Sequence, residues 1–549
     1  MVNLHRFAPA ARRSASRRIP ATPLGRALGV ASLLVAALAF VPVPAQAQEK
    51  VFRAVPHSNL AVLDPIWTTA YMSRNHGYMI YDTLFGTDEK GQIKPQMVET
   101  WSVSPDKRLW TFKLRAGLEF HDGKPVTGED VVASIARWSK RDTLGQVLDG
   151  FIERMDAPAP DTFRMFLREP CGFVLEALGK PSSNVPFIMP KRVADTDPFK
   201  QIQEYIGSGP YIFKRDEFKP GAIAVYTRNP KYVPRKEPPS GTTGGKNVYV
   251  DRVEWILALR DAQTQGIALQ KGEIDMIERV PFEQIIPLRA DKSVTLVTKD
   301  PIGFQYIARF NHLHPPFNNP KVRRAAIAAF SNQEAFLKAQ IGVKDLYKTC
   351  GSMFTCGTTY ASNAGNEIQS KSNMRKAQEL VKESGYDGTT VVILKPTDIA
   401  TINKLPDVGA QLLRQAGFKV DVQAMDWQTM VGRRAKKDAP DKGGWNLFFT
   451  AVVAPDTWNP IANFGLSGAC DKAWFGWACD EKLEQIRGRF ARSTDEAEKK
   501  KLAAELQTRG FEIGTHAPVG EYVAPSAVRK GVHGLVIGPG DFYWNIRKD

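Results

Sequence analysis

Between Lys94 and Trp138 the chain allows little beyond one compact unit of strand, turn, strand, turn and helix. Trp110, Phe112 and Leu114 alternate with polar neighbours, the pattern of a strand with one buried face. Ala116-Gly117 and Asp122-Gly123 interrupt it where the backbone must reverse, glycine tolerating the positive φ of tight turns. Thr127 then stands where a helix cap belongs. Asp130, three residues on, offers a carboxylate to the free N–H groups of the first turn, a capping box with Asp in place of Glu.

A chain of 549 residues is too long for one core and predicts two or three globular units. Residues 1–47 stand apart. Six arginines precede the apolar run Ala27–Val41, and Ala45-Gln46-Ala47 supplies the small residues of a cleavage site. The apolar run is shorter than the ~20 residues of a spanning helix, so the expectation is a signal peptide cleaved after Ala47. Arg17-Arg18 admits twin-arginine export, but Ile19-Pro20 continues that pattern poorly and favours the general secretory route. With no cysteine before Cys171, no lipid anchor follows the leader.

The formal charge of +16 contains the leader; beyond it 68 basic residues face 58 acidic ones, leaving +10. These cations are spread along the chain without a dominant cluster, which argues against nucleic acid as a partner. Cys350 with Cys356, and Cys470 with Cys479, lie close in sequence and predict two local disulfides of an oxidising compartment, Cys171 being left over. Neither pair has the spacing of a zinc site.

Apolar and helical segments alternate in an α/β manner after Glu49, with no fixed-period repeat. Pro234–Lys246, rich in Pro, Gly and Thr, predicts an exposed insertion without chemistry. A helix is expected from Asp261, stopped at Gln270-Lys271-Gly272, with Ile274–Ile277 opening a buried strand.

The Lys94–Trp138 unit resembles the signature of the family 5 extracytoplasmic solute-binding proteins, the peptide- and nickel-type receptors of ABC importers. The succession Gly207-Ser208-Gly209-Pro210-Tyr211, Arg228-Asn229-Pro230-Lys231-Tyr232 and Gly272-Glu273-Ile274-Asp275 is similar to the family's order of turns and strand ends. Phe310-Asn311, Pro316-Phe317 and Val322–Ala325 continue it. So do two helix–strand units, Lys376–Leu394 and Ala410–Val422, and the C-terminal stretch Ala517–Tyr522. The resemblance covers nearly all of Val51–Asp549.

It implies a two-lobed α/β periplasmic binding protein of class II, cluster C-like, with an extra subdomain in the first lobe. The expected division is residues 48–92, 208–306 and 515–549 for the core of lobe 1, 93–207 for its accessory subdomain and 307–514 for lobe 2. Crossing strands are expected near Tyr306–Asn311 and Val519–Ala524. Implied too are a periplasmic location, a small-molecule ligand, permease subunits as partners, a monomer, no cofactor and no chemistry of its own.

Phe448–Phe464 holds the best ligand-site candidate: a buried strand ending at Ala454-Pro455-Asp456, in a loop that can face a cleft. Asp456 matches the aspartate that takes the ligand's ammonium group in peptide-binding relatives, and Trp458 offers an aromatic face; an Asx-turn before Asn459-Pro460 is the alternative. Dipeptide receptors carry an arginine after the strand matching Val391–Leu394, where this chain has Lys395-Pro396-Thr397-Asp398. Asp398 there points away from a free dipeptide, towards a cationic, longer or differently anchored ligand. Tyr81, Tyr211 and Trp427 are further candidates for the cleft, and Trp474 and Trp477 either close over a ligand or pack under the Cys470–Cys479 bridge.

No catalytic motif emerges. Gly207-Ser208-Gly209 lacks the spacing of a nucleophile elbow, and His121-Asp122-Gly123 is explained as a turn. His312-Leu313-His314 is the strongest metal candidate, but Pro315-Pro316 after it favours a loop. An exported α/β hydrolase or metal-dependent enzyme, and a nickel or haem receptor of the same family, remain as alternatives to a receptor for a peptide or amine-bearing solute.

Overall fold

The structure, a computed structural model, describes residues 49–549; the leader and its cleavage site lie outside the described residues. Two large sheets organise the chain. The first has seven strands in the order Tyr211–Phe213, Ile223–Arg228, Arg252–Ile256, Val51–Val55, Met276–Ile277, Ser526–Arg529, Val294–Val297. Val51–Val55 runs parallel to both neighbours, with Val51 opposite Arg252 and Ala54 opposite Met276. Parallel neighbours need a crossover. Helix Ala262–Lys271 supplies one; Asp261 caps it by accepting from Thr264 N, and Gly272 ends it at φ 78°. That left-handed conformation is what favours glycine at Gly272.

The second sheet has six strands in the order Tyr347–Lys348, His516–Tyr522, Phe304–Phe310, Leu447–Val453, Val391–Pro396, Val420–Met425. Val391–Pro396 and Val420–Met425 pair in parallel across helix Leu405–Ala416. A separate four-stranded antiparallel sheet carries the Lys94–Trp138 unit. Phe112 stacks on Phe163 at 4.6 Å, and Thr127 caps helix Gly128–Trp138, with Asp130 Oδ2 accepting from Thr127 N at 2.8 Å.

The chain passes between the two large sheets twice, through residues 298–303 and residues 523–525. The second passage overlaps the expected crossing at Val519–Ala524, whereas the first precedes the one expected near Tyr306–Asn311. Tyr306–Phe310 is buried and hydrogen-bonded on both edges, Tyr306 lying opposite Ala451 on one side and Gly520 on the other. A strand held on both sides belongs to its sheet, so the change of sheet falls before it, at a segment with Pro301 and Gly303.

Pro234–Lys246 also departs from expectation. Its second half is buried: Thr242 N donates to Thr87 O, and Lys246, 0% exposed, pairs with Asp82 at 2.7 Å beneath the ring of Trp544. Polar composition resembles an exposed loop when the partners of groups such as Thr242 and Lys246 lie about 160 residues away.

Candidate functional site

A small cavity takes its walls from both of the large sheets' sides of the molecule. Helix Trp427–Arg434, capped by Asp426 on the N–H groups of Gln428 and Thr429, presents Trp427 and Arg434 to it. The strand Leu447–Val453 adds Thr450, Ala451 and Val452, and Trp474 closes one side. From the seven-stranded side come His57, Arg279 and Tyr71, the first residue of helix Tyr71–Ile80. The walls leave about 40 Å³ of free space. A second cavity of about 350 Å³ shares Thr69, Phe464 and Trp474 with the first and is walled by Trp67, Phe199, Phe475 and Trp477.

Asp456 is 2% exposed and sits just behind the first cavity. Its Oδ2 accepts from Tyr71 Oη at 2.9 Å, Ser182 Oγ at 3.1 Å and Ser183 Oγ at 2.7 Å, all from the opposite side of the cleft. Tyr71 Oη also accepts from Val453 N at 2.8 Å. Ser183 and Asn184 hold left-handed backbone, φ 40° and 45°, which side-chain residues adopt only when their surroundings compel it. Asn184 supplies the compulsion: its Nδ2 donates to the carbonyls of Pro65, Ile66 and Thr68. Burial, reinforced by Asp456, lifts the Tyr71 hydroxyl well above its ordinary range, so it remains a donor.

Glu278 is fully buried and accepts from His57 N at 2.8 Å, with His57 Nδ1 at 2.6 Å from its other oxygen. Burial and the Arg279 charge, outweighing Glu278, bring His57 down to about 4, leaving it neutral at pH 7. Arg279 stacks on Phe304 at 4.5 Å and lies 3.8 Å from Glu278. Arg434 is 2% exposed, its guanidinium 5.2 Å from the Trp427 ring and 5.0 Å from that of Phe475. Burial lowers its pKa to about 10, still charged at neutral pH.

The sequence candidates scatter. Trp427 lines the first cavity. Asp398 accepts from Trp427 N at 2.7 Å and borders a smaller neighbouring pocket with Arg260, His57 and Arg279. Trp458 lies apart, in a cavity of about 200 Å³ with Lys299, Asp300 and Ile302. Tyr81 and Tyr211 lie elsewhere: both are 0% exposed in the core, Tyr81 against Phe187 and Tyr211 donating to Tyr543 O at 2.8 Å. Packing explains that motif. Gly209 N donates to Ile80 O, and a Cβ at Gly207 would lie 1.7 Å from the same oxygen, so the glycines let two backbones touch.

Sequence reading missed Tyr71, Ser182, Ser183, Arg279 and Arg434. Arg433-Arg434 reads as an ordinary basic helix end, and only the fold separates Arg433, bound to the carbonyls of Gly443 and Gly444, from its buried neighbour. The pairs Cys350–Cys356 and Cys470–Cys479 are bonded, and Cys171 is free and buried. Trp474, inside the second bridge's loop, lines both cavities. His312 and His314 sit in a loop and part company: His314 Nε2 meets Lys437 O, while His312 turns to the backbone of Gly514 and Thr515. Among the described residues the metal-ligating types gather at Cys350, Cys356 and Glu521, where the bridge consumes both thiols.

The family described as bacterial extracellular solute-binding proteins, family 5 Middle, matches residues 92–474. A Sinorhizobium fredii protein named "Probable peptide ABC transporter periplasmic-binding protein y4tO" is 39% identical, over 95% of this chain and 97% of its own. The glutathione-binding protein GsiB of Escherichia coli K12 is 28% identical over 78% of each chain. Among solved structures, the oligopeptide-binding protein AppA of Bacillus subtilis in complex with a nonapeptide superposes with a TM-score of 0.76 at 17% identity, covering 91% of this chain and 99% of its own.

Proposed function

We propose, from the premise that this chain belongs to the bacterial extracellular solute-binding proteins of family 5, that it is the periplasmic receptor of an ABC importer for a peptide or similar amine-bearing organic solute. One observation carries the reading: a cavity between two sheets takes its walls from both, so a ligand inside it touches both lobes at once. A ligand with contacts on both sides favours the closed state by its differential affinity. The protein works as a monomer, exported by a cleaved leader, with no cofactor and no catalysis of its own.

Trp427 and Trp474 form the aromatic walls, and Asp398 positions Trp427 through its backbone. Asp456 holds the closed form by taking three hydroxyls from the other lobe. An ammonium group reaches it only by displacing them. The test is a thermal-shift screen against peptides and amines, with the mass of any ligand recovered from the purified protein and small-angle scattering on the bound form. Binding with a smaller radius of gyration is expected. Steady conversion of a ligand into product would replace the receptor with an enzyme.

A further inference from the structure

The cavity of about 200 Å³ that holds Trp458 lies against residues 298–303, the longer passage between the sheets, and shares no wall residue with either cleft cavity. The passage is pinned at both ends. Lys299 O accepts from Gly538 N of the C-terminal stretch at 2.9 Å, and Gly303 O accepts from Ala454 N, just past the strand Leu447–Val453, at 3.2 Å. Only Asp300, Pro301 and Ile302 lie between the pins, and all three line the cavity. Pro455 and Trp458 reach it from the six-stranded side, and Ile537 from the C-terminal stretch.

The wall is apolar with one carboxylate oxygen left over. Ile302 and Ile537 are 42% and 44% exposed, uncovered apolar surface around one hollow, and Trp458 adds an indole face. The other charges of the wall are occupied or lie in solvent: Lys299 pairs with Asp541, Asp88 accepts from the N–H groups of Lys90 and Gln92, and Glu89 and Lys90 are exposed with one charge of each sign. Asp300 differs. Its Oδ1 accepts from Gly303 N at 3.0 Å, while its Oδ2 is buried and meets no donor. Burial raises its pKa to about 6 against the pull of the Gly303 N–H, which leaves it largely ionised at neutral pH. An ionised oxygen shut off from water without a donor is a place that a cationic donor fills.

We propose that this cavity is a second binding site, for an organic primary ammonium compound whose head donates to Asp300 Oδ2 and whose apolar body packs on Trp458, Ile302 and Ile537. Cavities of about 150 Å³ take benzene, so the body has about ten heavy atoms. The occupant touches the bend of the passage and the bodies pinned to its two ends, and so holds the passage at one setting. This goes beyond the receptor reading and does not depend on it.

Calorimetry on the whole protein, with phenethylammonium and with phenethyl alcohol as its uncharged counterpart, tests the site. Phenethylammonium is expected to bind wild type at least about tenfold more tightly than the alcohol, and Asp300→Asn, which keeps an acceptor for Gly303 N, to lose about that factor for the ammonium alone. Absence of phenethylammonium binding at millimolar concentration, equal affinities of the two compounds, or an Asp300→Asn protein of unchanged affinity overturns the proposal. Fluorine NMR of fluorotryptophan-labelled wild type places the probe without altering any charge. The Trp458 resonance, identified by its loss in Trp458→Phe, is expected to move while those of Trp427 and Trp474 stay. A still Trp458 resonance with movement at Trp427 and Trp474 would seat the ammonium in the cleft, removing this site and leaving the receptor standing. Hydrogen exchange at the amides of Asp300, Ile302 and Gly303 is expected to slow severalfold with the probe bound; unchanged exchange would deny that the occupant holds the passage.

Discussion

Two buried arginines of the same lobe, Arg309 and Arg434, have opposite fates. Arg309 is 0% exposed beneath the Cys470–Cys479 loop, where its guanidinium donates to the carbonyls of Phe475, Gly465, Thr515 and Trp474. Arg434 is as buried, stacked on aromatic rings as Arg309 is on Trp474, and donates to none. A guanidinium that satisfies carbonyls the chain would otherwise bury unpaired is part of the fold. Arg434, whose buried Nε meets no acceptor, pairs no carbonyl and is held by the rings around it.

Removing each arginine separates these roles most sharply. Arg309→Met takes a donor from four carbonyls, of which Trp474 O keeps Trp477 N, and is expected to cost about 3–5 kcal/mol of stability, read from denaturant unfolding. Near-equal losses from Arg309→Met and Arg434→Met would erase the distinction. Asp456→Asn tests the satisfied carboxylate of the same cleft: losing its charge is expected to weaken ligand binding by about 2–3 kcal/mol in calorimetry while the unfolding midpoint changes little, because its three hydroxyl donors come from the other lobe. A large loss of stability with unchanged affinity would move Asp456 to Arg309's side.

Opening the bridge above Arg309 comes next. Cys470 and Cys479 close a loop of 9 residues, whose chain entropy corresponds to about 2–3 kcal/mol. The double variant Cys470→Ser, Cys479→Ser is expected to lose that much and to loosen Trp474, seen as altered tryptophan emission. Unaltered emission would show that Arg309 alone fixes the loop.

Acid brings a further test. His516 beside Arg309 and His57 beside Arg279 are both held neutral, mainly by burial, at about 3 and about 4 against an ordinary 6.5. A folded value below the unfolded one gives stability that is complete above 6.5 and is lost as pH falls from there towards 4. Unfolding midpoints should therefore drop across that window; a flat profile would deny both sites their burial. The smallest effect belongs to Thr127→Ala, which removes a helix cap far from either arginine and is expected to cost about 1 kcal/mol without touching binding.

What the sequence disclosed was local. Thr127 with Asp130, Asp261 with Gly272, and the apolar run through Val453 each announce their structure within a few residues, because caps, turns and strand periods are short-range physics. The site was legible only as far as Trp427 and the neighbourhood of Asp456. Arg434 and Arg433 look alike in the sequence, and what separates them is the arrival of Phe448, Phe475 and Tyr71 from elsewhere in the chain. Lys246 was invisible for the same reason, its meaning lying with Asp82. Tyr81 and Tyr211 misled because aromatic residues near glycine turns serve packing as well as binding.

The two passages between the sheets are unequal leashes. Residues 523–525 run directly from Tyr522 to Ser526, and three residues at full stretch span only about 10 Å, while residues 298–303 have twice the length in hand. A pair of bodies tethered so cannot drift apart in parallel. If the lobes part, the short leash would act as the pivot and the long one would pay out, placing the widest gape farthest from residues 523–525.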